Sequence, residues 1–236
     1  MDWLALRVSM AAALSATLIV MLIGIPLGYL LAKARFPGRT VVEALLTLPL
    51  ALPPPVMAYY LLNQLGGPGP VRDASMKLFG HPLTFTFWGI VVAQSVEALP
   101  FCLRATRSAV SGVDARAEQA ARAMGLPEWR IALRVTLPLA RRGIFAGVAM
   151  AFGRALGDYA ATATISGYVP GASTMSVVLF ERVIVEGTSH GARELALVQL
   201  VVAVAILVGV SYMGKTRDVN LRSIPRGQKH TMEPAA

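Results

Sequence analysis

The sequence contains few charged residues and almost no cysteine. Charged residues make up 15% of its 236 residues, whereas a soluble domain carries about 25%, so an ordinary cytosolic enzyme is not expected. Cys102 is the one cysteine, which excludes an intrachain disulfide, a zinc finger and a thiol-redox motif. Hydrophobic residues make up 55% of the chain and the mean hydropathy is +0.59, which is typical of a membrane protein.

The charges that are present are mostly positive. The formal net charge is +9 and the pI is about 10.3, values that on their own would indicate a nucleic-acid partner. The basic residues lie between long apolar runs, however, and this arrangement is typical of a membrane protein with basic cytoplasmic loops. We therefore expect this chain to lie in a lipid bilayer and to have no nucleic-acid partner.

The N-terminal apolar run predicts a retained transmembrane helix. Residues 8–32 form 25 residues without a charge, and about 20 apolar residues span a bilayer. A cleavable signal has an apolar region of only about 7–15 residues, so this run is too long for one. Pro26, Gly24 and Gly28 are expected to kink the helix or to let a neighbouring helix approach closely.

Five apolar stretches are long enough for transmembrane helices, and we predict an all-α, polytopic membrane protein. The predicted spans are 8–32, 44–65, 85–106, 143–165 and 195–213. Because five is an odd number, the termini lie on opposite sides of the membrane. One side, formed by 33–43, 104–142 and the tail, carries 16 Lys and Arg residues, and the other carries 5. The positive-inside rule then predicts an outside N-terminus and a cytoplasmic C-terminus.

Two further stretches do not fit a membrane span. Residues 176–185 are too short and are interrupted by Glu181 and Arg182. They are interpreted either as an extracytoplasmic re-entrant or interfacial helix or as a surface helix on the bundle. Residues 214–236 are polar and contain Pro and Gly, which predicts a disordered cytoplasmic tail.

The loop between the third and fourth spans has the pattern of two short helices. Ser111 and Asp114 have the spacing of a capping box, and an alanine-rich stretch follows. Gly125 can adopt the left-handed conformation that ends a helix, and Pro127 suits the first turn of the next one. We expect a helix–turn–helix elbow across the cytoplasmic face. Its small side chains suit docking in a groove of another protein, and the alternative is an amphipathic surface helix without a partner.

This elbow resembles the cytoplasmic loop signature of the integral-membrane subunits of binding-protein-dependent ABC importers. That signature is Glu-Ala-Ala, three residues, Gly, nine residues, Ile, any residue and Leu-Pro. Five positions match it in register: Ala120, Ala121, Gly125, Leu137 and Pro138. Val135 replaces the usual Ile, and Gln119 replaces the usual Glu, with Glu118 beside it. This departure argues against a single carboxylate that is essential for docking.

The resemblance narrows further to the permease subunits of molybdate importers. Three segments agree with them in order and spacing, namely 48–56 (LPLALPPPV), 118–122 (EQAAR) and 152–162 (FGRALGDYAAT). Permeases for tungstate, sulfate and thiosulfate are related, so these oxyanions are the alternative substrates.

The resemblance also implies an assembly. It implies a type I importer fold over about residues 9–213, with a coupling loop at 111–138, in a bacterial cytoplasmic membrane. Two copies would form a homodimer around a path, with two separate ATPase subunits below and a soluble oxyanion-binding protein outside. Hydrolysis of ATP belongs to those subunits, so no catalytic residue and no cofactor are expected here. The residues expected to couple to the ATPases are Glu118, Gln119, Ala120, Ala121, Gly125, Leu137 and Pro138.

Three charged residues, Glu97, Arg154 and Asp158, fall away from the ends of the predicted spans. Such charges cost about 2.5–3.5 kcal/mol at a helix centre and normally face the bundle interior. Arg154 and Asp158 are four residues apart, so on one helix they share a face and can pair, and Glu97 could reach Arg154 from a neighbouring helix. The pair either holds the bundle together or lines the translocation path.

Three consecutive prolines interrupt the second predicted span. Pro53, Pro54 and Pro55 lack the backbone donor that a helix needs, and such breaks are tolerated where protein or a water-filled cavity surrounds the backbone. The break is interpreted either as a packing kink or as part of the path, where helix-end N–H groups could face a passing oxyanion.

Two other classes of function are less well supported by the sequence. A membrane-embedded enzyme would need a cluster of catalytic residues at membrane depth, and three scattered charges do not supply one. A stand-alone channel would not need the elbow.

His81 and His190 have no partner spacing that indicates a metal site.

Overall fold

The computed structural model describes residues 3–167, 173–185, 187 and 191–215. Over these residues the chain is helical and contains no strand, which confirms the all-α class. The predicted disordered tail lies outside the described residues, except that Gly214 and Lys215 belong to the last helix.

Three long helices form the centre of the molecule. They are α1 (Trp3–Lys33), α5 (Phe87–Ser111) and α8 (Leu137–Leu156). Their shared core consists mainly of small and β-branched side chains, including Ala12, Ala16, Val20, Ile90, Ala98 and Ala151. Many leucines of α1 point away from this core, since Leu14, Leu18 and Leu22 have exposed fractions of 56%, 58% and 68%. A helix that is apolar on its outer side as well is typical of a membrane span.

Small residues allow the three helices to approach closely. A Cβ atom at Gly28 would lie 2.8 Å from the Thr106 Cβ atom, and one at Gly147 would lie 2.5 Å from the Ala105 Cβ atom. The close packing that Gly28 predicted is therefore confirmed, and α1 continues through Pro26 as one helix. Membrane helices pack in this way because there is no hydrophobic driving force between them in lipid.

The second predicted span is divided into two helices. Helix α2 (Arg39–Thr47) continues as a short 3-10 turn to Leu50, and α3 (Pro54–Gly66) follows at an angle of 106°. The break predicted at the prolines is present. After α3, helix α4 (Pro70–Phe79) precedes the entry into α5.

The elbow consists of two short helices between α5 and α8. They are α6 (Ala115–Ala123) and α7 (Glu128–Ile131), and a π-helical turn, Ala132–Thr136, joins α7 to α8. The predicted capping box at Ser111 is wrong, because α5 continues through Ser111 and the N-cap of α6 is Asp114, which accepts a hydrogen bond from the Arg116 amide. The predicted left-handed turn is confirmed, since Gly125 has a φ of +78°.

The fourth predicted span also does not form one helix. Helix α8 ends at Leu156, and α9 (Ala160–Ser166) begins after a non-helical step. Helix α10 (Met175–Phe180) and a π-helical turn (Glu181–Val185) follow, and α11 (Ala192–Lys215) coincides with the fifth predicted span.

Within the described residues, two helical stretches are long and apolar enough to cross a membrane, namely Trp3–Lys33 and Glu128–Leu156. The bent pair of α2 and α3 would be a third. Helix α5 has 25 residues but carries Gln94, Glu97 and Arg104 along its length. The number of five spans stays a prediction.

Candidate functional site

The outer surface of the elbow is exposed and partly apolar. Met124, Trp129 and Leu133 have exposed fractions of 73%, 61% and 59%. Gln119 and Ala120 of α6 are exposed as well. Large apolar side chains that are grouped on a surface are typical of a protein interaction site.

The predicted coupling residues do not all face the same way. Gln119, Ala120, Gly125 and Pro138 are exposed, and Leu137 is partly buried. Ala121 and Glu118, by contrast, have exposed fractions of only 2% and 4%. The elbow therefore has an outer face that can meet another molecule and an inner face that contacts its own chain.

Glu118 is the polar centre of that inner face. Lys33 at the end of α1 donates to the Glu118 Oε2 atom at 2.8 Å, and its Nζ atom lies 2.7 Å from Oε1. The Thr136 hydroxyl, on the π-helical turn before α8, donates to Oε1 at 2.7 Å. We call this group of Lys33, Glu118 and Thr136 the elbow clamp. It connects three separate elements, and neither Lys33 nor Thr136 was identified from the sequence.

The clamp stabilises the ionised form of its carboxylate. Burial opposes ionisation, but hydrogen bonds from Lys33 and Thr136 outweigh it and hold the pKa of Glu118 below its ordinary value of 4.5. On the outer face, Arg122 donates to both oxygens of Glu128, at 2.6 and 3.1 Å. Both side chains of that pair are exposed, so the pair contributes little to stability.

A second charged group lies between the long helices. Arg154 on α8 forms ion pairs with Glu97 on α5 and with Asp158, whose Oδ1 atom is 3.5 Å from the Arg154 Nη1 atom. We call these three residues the membrane cluster. The contacts expected from the sequence are present, but Asp158 lies beyond the end of α8 rather than on the same helix.

Asp158 also holds the first turn of α9. Its Oδ2 atom accepts hydrogen bonds from the Thr162 amide at 2.9 Å and from the Thr162 hydroxyl at 2.7 Å. The cluster thus joins α5, α8 and α9 where the fourth predicted span breaks.

The carboxylates of the membrane cluster are inaccessible, whereas its cation is not. Asp158 and Glu97 have exposed fractions of 1% and 4%, and the Arg154 side chain is 31% exposed. Among the described residues the Glu97 Oε1 atom has no hydrogen-bond partner. The buried carboxylates are compatible with a structural pair and the partly exposed guanidinium with a place in the path, so both interpretations of the pair stay predictions.

The N-terminus of α3 does not offer the donors that the sequence suggested. Pro54 and Pro55 occupy its first positions and have no N–H group. The next two amides, of Val56 and Met57, donate to the Pro53 carbonyl at 3.0 and 3.1 Å. The oxyanion contact expected at this helix end is therefore unsupported, and a place for the prolines in the path stays a prediction.

One of the three prolines, Pro55, borders an open cavity. A cavity of about 370 Å³ lies between α3 and α9, and Pro55, Tyr59, Tyr159, Ala160 and Thr164 contribute to its wall. Tyr59 also borders a second cavity of about 320 Å³ that continues towards Asn63 and Thr84. Tyr159, which stacks on Phe180 at 4.3 Å, follows Asp158 directly and was not singled out from the sequence.

Comparisons with known proteins find a matching family and similar permeases. Residues 24–216 match the family described as "Binding-protein-dependent transport system inner membrane component". The chain is 35% identical to the molybdenum transport system permease protein ModB of Escherichia coli (strain K12), over 88% of this chain and 91% of that protein. It is 38% identical to a probable molybdenum ABC transporter permease of Haloferax volcanii, over 87% of this chain and 73% of that protein.

The fold is similar to a solved ABC transporter. The match to the inward-facing MetNI methionine ABC transporter has a TM-score of 0.71 at 19% identity and covers 91% of this chain and 96% of that chain. At this identity the likeness concerns the fold. Together with the family match over residues 24–216, it shows that the chain belongs to the family of binding-protein-dependent transport system inner membrane components and is a multi-pass membrane permease.

Proposed function

We propose that this chain is the permease subunit of an ATP-driven importer that moves molybdate across the cytoplasmic membrane by alternating access. The observation that supports the proposal most strongly is the elbow. Its outer face is exposed, and its inner face is buried against its own chain. The permeases of Escherichia coli and Haloferax volcanii, which are named for molybdenum transport, support the choice of substrate.

The outer face of the elbow is the proposed contact with separate ATPase subunits. Met124, Trp129 and Leu133 supply apolar area, and the small side chain of Ala120 permits close approach. Closure of the ATPases on ATP would draw two elbows together and switch the path from inward-open to outward-open. Selectivity among oxyanions would come mainly from capture by a soluble extracytoplasmic binding protein.

The path is proposed to lie along the interface of a homodimer. The two cavities along α3 are open at the surface of one chain, and Tyr59 and Tyr60 have exposed fractions of 64% and 52%. A second copy facing α3 and α9 would enclose this space. In the proposed orientation the N-terminus is outside and the elbow is cytoplasmic, in accordance with the Lys and Arg distribution.

Co-expression of the chain with its chromosomal neighbours tests the proposal. We expect the chain to co-purify with the ATPase as a complex with two copies of each. In proteoliposomes, uptake of molybdate should require ATP and the binding protein, and tungstate, sulfate and thiosulfate serve as competing substrates. Uptake that proceeds equally well without ATP would instead indicate a channel, and the absence of any bound ATPase would refute the importer.

A further inference from the structure

We infer that Glu118 is a positioning residue that fastens the coupling elbow to the end of α1, so that the elbow and α1 move together. This inference rests on the proposed function and deepens it. It assigns Glu118 a role inside its own chain, whereas ATPase docking belongs to the exposed outer face.

The geometry of the elbow clamp supports this role. Both oxygens of the Glu118 carboxylate are used, one by Thr136 and both by the Lys33 ammonium, at 2.7–2.8 Å. The Glu118 side chain is 6% exposed, while that of Lys33 is 30% exposed. A charge-assisted hydrogen bond that is shielded from water is stronger and more directional than one at the surface.

The clamp matters because little else holds α6. This helix has nine residues, and only Glu118 and Ala121 are buried. An isolated helix of that length is not stable in water, and one alanine methyl supplies little apolar burial. The position of α6 therefore depends on the carboxylate more than on a hydrophobic face.

The clamp also gives a movement of the elbow a second route into the bundle. The elbow is joined covalently to α8 through the π-helical turn. Through Lys33 it is joined to α1, which packs on both α5 and α8 over much of its length. A displacement of α6 by the ATPase would thus reach α1 directly as well as α8. Without the clamp, α6 could move while α1 stays in place.

A double-mutant cycle on the assembled transporter tests this inference. Glu118→Gln and Lys33→Met each remove the ion pair with little change in side-chain size. We expect molybdate uptake per ATP hydrolysed to fall at least about fivefold in either variant, the lower end of coupling between distant sites. ATP hydrolysis itself should continue. Because the Lys33–Glu118 ion pair is lost in both single variants, the double variant should be no worse than the poorer single variant.

A matched control lies in the same elbow, at the first residue of α7. Glu128→Gln breaks the exposed pair with Arg122, which has a comparable contact distance, and leaves the 3.9 Å contact of Arg122 with Glu118 in place. It should leave uptake per ATP at the wild-type value. A merely structural role of Glu118 would lower the yield of assembled complex without changing the ratio of uptake to hydrolysis in the complex that remains.

The outcomes separate this inference from the proposed function. Loss of ATP-driven uptake in the wild type would refute the proposed function. Wild-type uptake together with normal coupling in Glu118→Gln, or losses that multiply in the double variant, would refute the clamp alone. If Glu118→Gln does not assemble, Lys33→Met decides, because normal coupling in that variant would equally refute the clamp.

Discussion

The elbow clamp and the membrane cluster both pair buried carboxylates with a cation on another helix. They differ in how many carboxylates each cation serves. In the clamp, one carboxylate meets the Lys33 ammonium, the Thr136 hydroxyl and, at 3.9 Å, the Arg122 guanidinium, and both of its oxygens are bonded. In the membrane cluster, two carboxylates share one guanidinium, and the Glu97 Oε1 atom has no partner among the described residues. The clamp is saturated, whereas the cluster depends on a single residue.

This difference indicates which residue matters in each group. Loss of Lys33 leaves one buried carboxylate, which keeps its hydrogen bond from Thr136 and its 3.9 Å contact with Arg122. Loss of Arg154 would leave two carboxylates facing each other inside the bundle, where an unpaired charge is costly. We therefore expect the membrane cluster to control folding and the elbow clamp to control coupling.

The largest expected effect is that of Arg154→Gln. Breaking a buried ion pair on one side costs about 3–5 kcal/mol, so the folded protein should be scarce in the membrane and should unfold at a lower temperature in detergent. Arg141→Gln, an exposed position on the same helix, is the control and should behave as the wild type. Equal thermal stability of the two variants would contradict the importance of the cluster.

The next effect is that of Gly125→Val. The left-handed backbone at φ +78° costs about 1–2 kcal/mol for a residue with a side chain, so the turn between α6 and α7 should shift and uncouple hydrolysis from uptake. Both rates are measured in proteoliposomes. Gly112→Val is the control, since that residue ends α5 at a φ of −83°. Wild-type uptake in Gly125→Val at a normal membrane level would count against the elbow.

An effect on the amount of folded protein, rather than on coupling, is expected at Asp158. Asp158→Ala removes the acceptor for two Thr162 hydrogen bonds, which costs about 1–3 kcal/mol, and should lower the amount of protein in the membrane. Asp158→Asn keeps an acceptor and should lose less. Quantitative immunoblotting beside uptake distinguishes the roles: a normal amount of protein with reduced uptake would mean that Asp158 acts in the path.

The smallest expected effect is the acid sensitivity of the clamp. The folded-state pKa of Glu118 is lowered, so its contribution to stability is complete above the ordinary value of 4.5 and is lost as the pH falls through the lowered value. Wild type should therefore lose more stability on acidification than Glu118→Gln, as measured by thermal unfolding of the complex in detergent. An identical acid dependence of the two proteins would show that the carboxylate is not stabilised by its partners.

Local features of the elbow and of the second span could be predicted from the sequence. Gly125 adopts a positive φ because it has no Cβ atom, and the chain breaks at Pro53–Pro55 because proline has no N–H group to donate. Both effects act within a few residues. The cap of α6 was misplaced by three residues, because Ser111 and Asp114 are both good cap residues and tertiary packing extended α5 through the first.

The membrane cluster was foreseen only in part. The spacing of Arg154 and Asp158 suggested a pair on one helix, and the contact exists although α8 ends at Leu156. The spacing gave no indication of that end, because Gly157 is compatible with a helix interior as well as with a C-cap. The bond from Asp158 to Thr162 therefore escaped prediction.

The sequence by itself determined the class of protein and the place of its coupling loop, because apolar length, basic loops and the glycine and proline positions are properties of short segments. Only the tertiary structure decided which way Glu118 faces. Its partner Lys33 is 85 residues away, and no local pattern records that the end of α1 lies beneath α6. The same holds for the cavity between Tyr59 and Tyr159, since its walls come from helices that meet only when the bundle is packed.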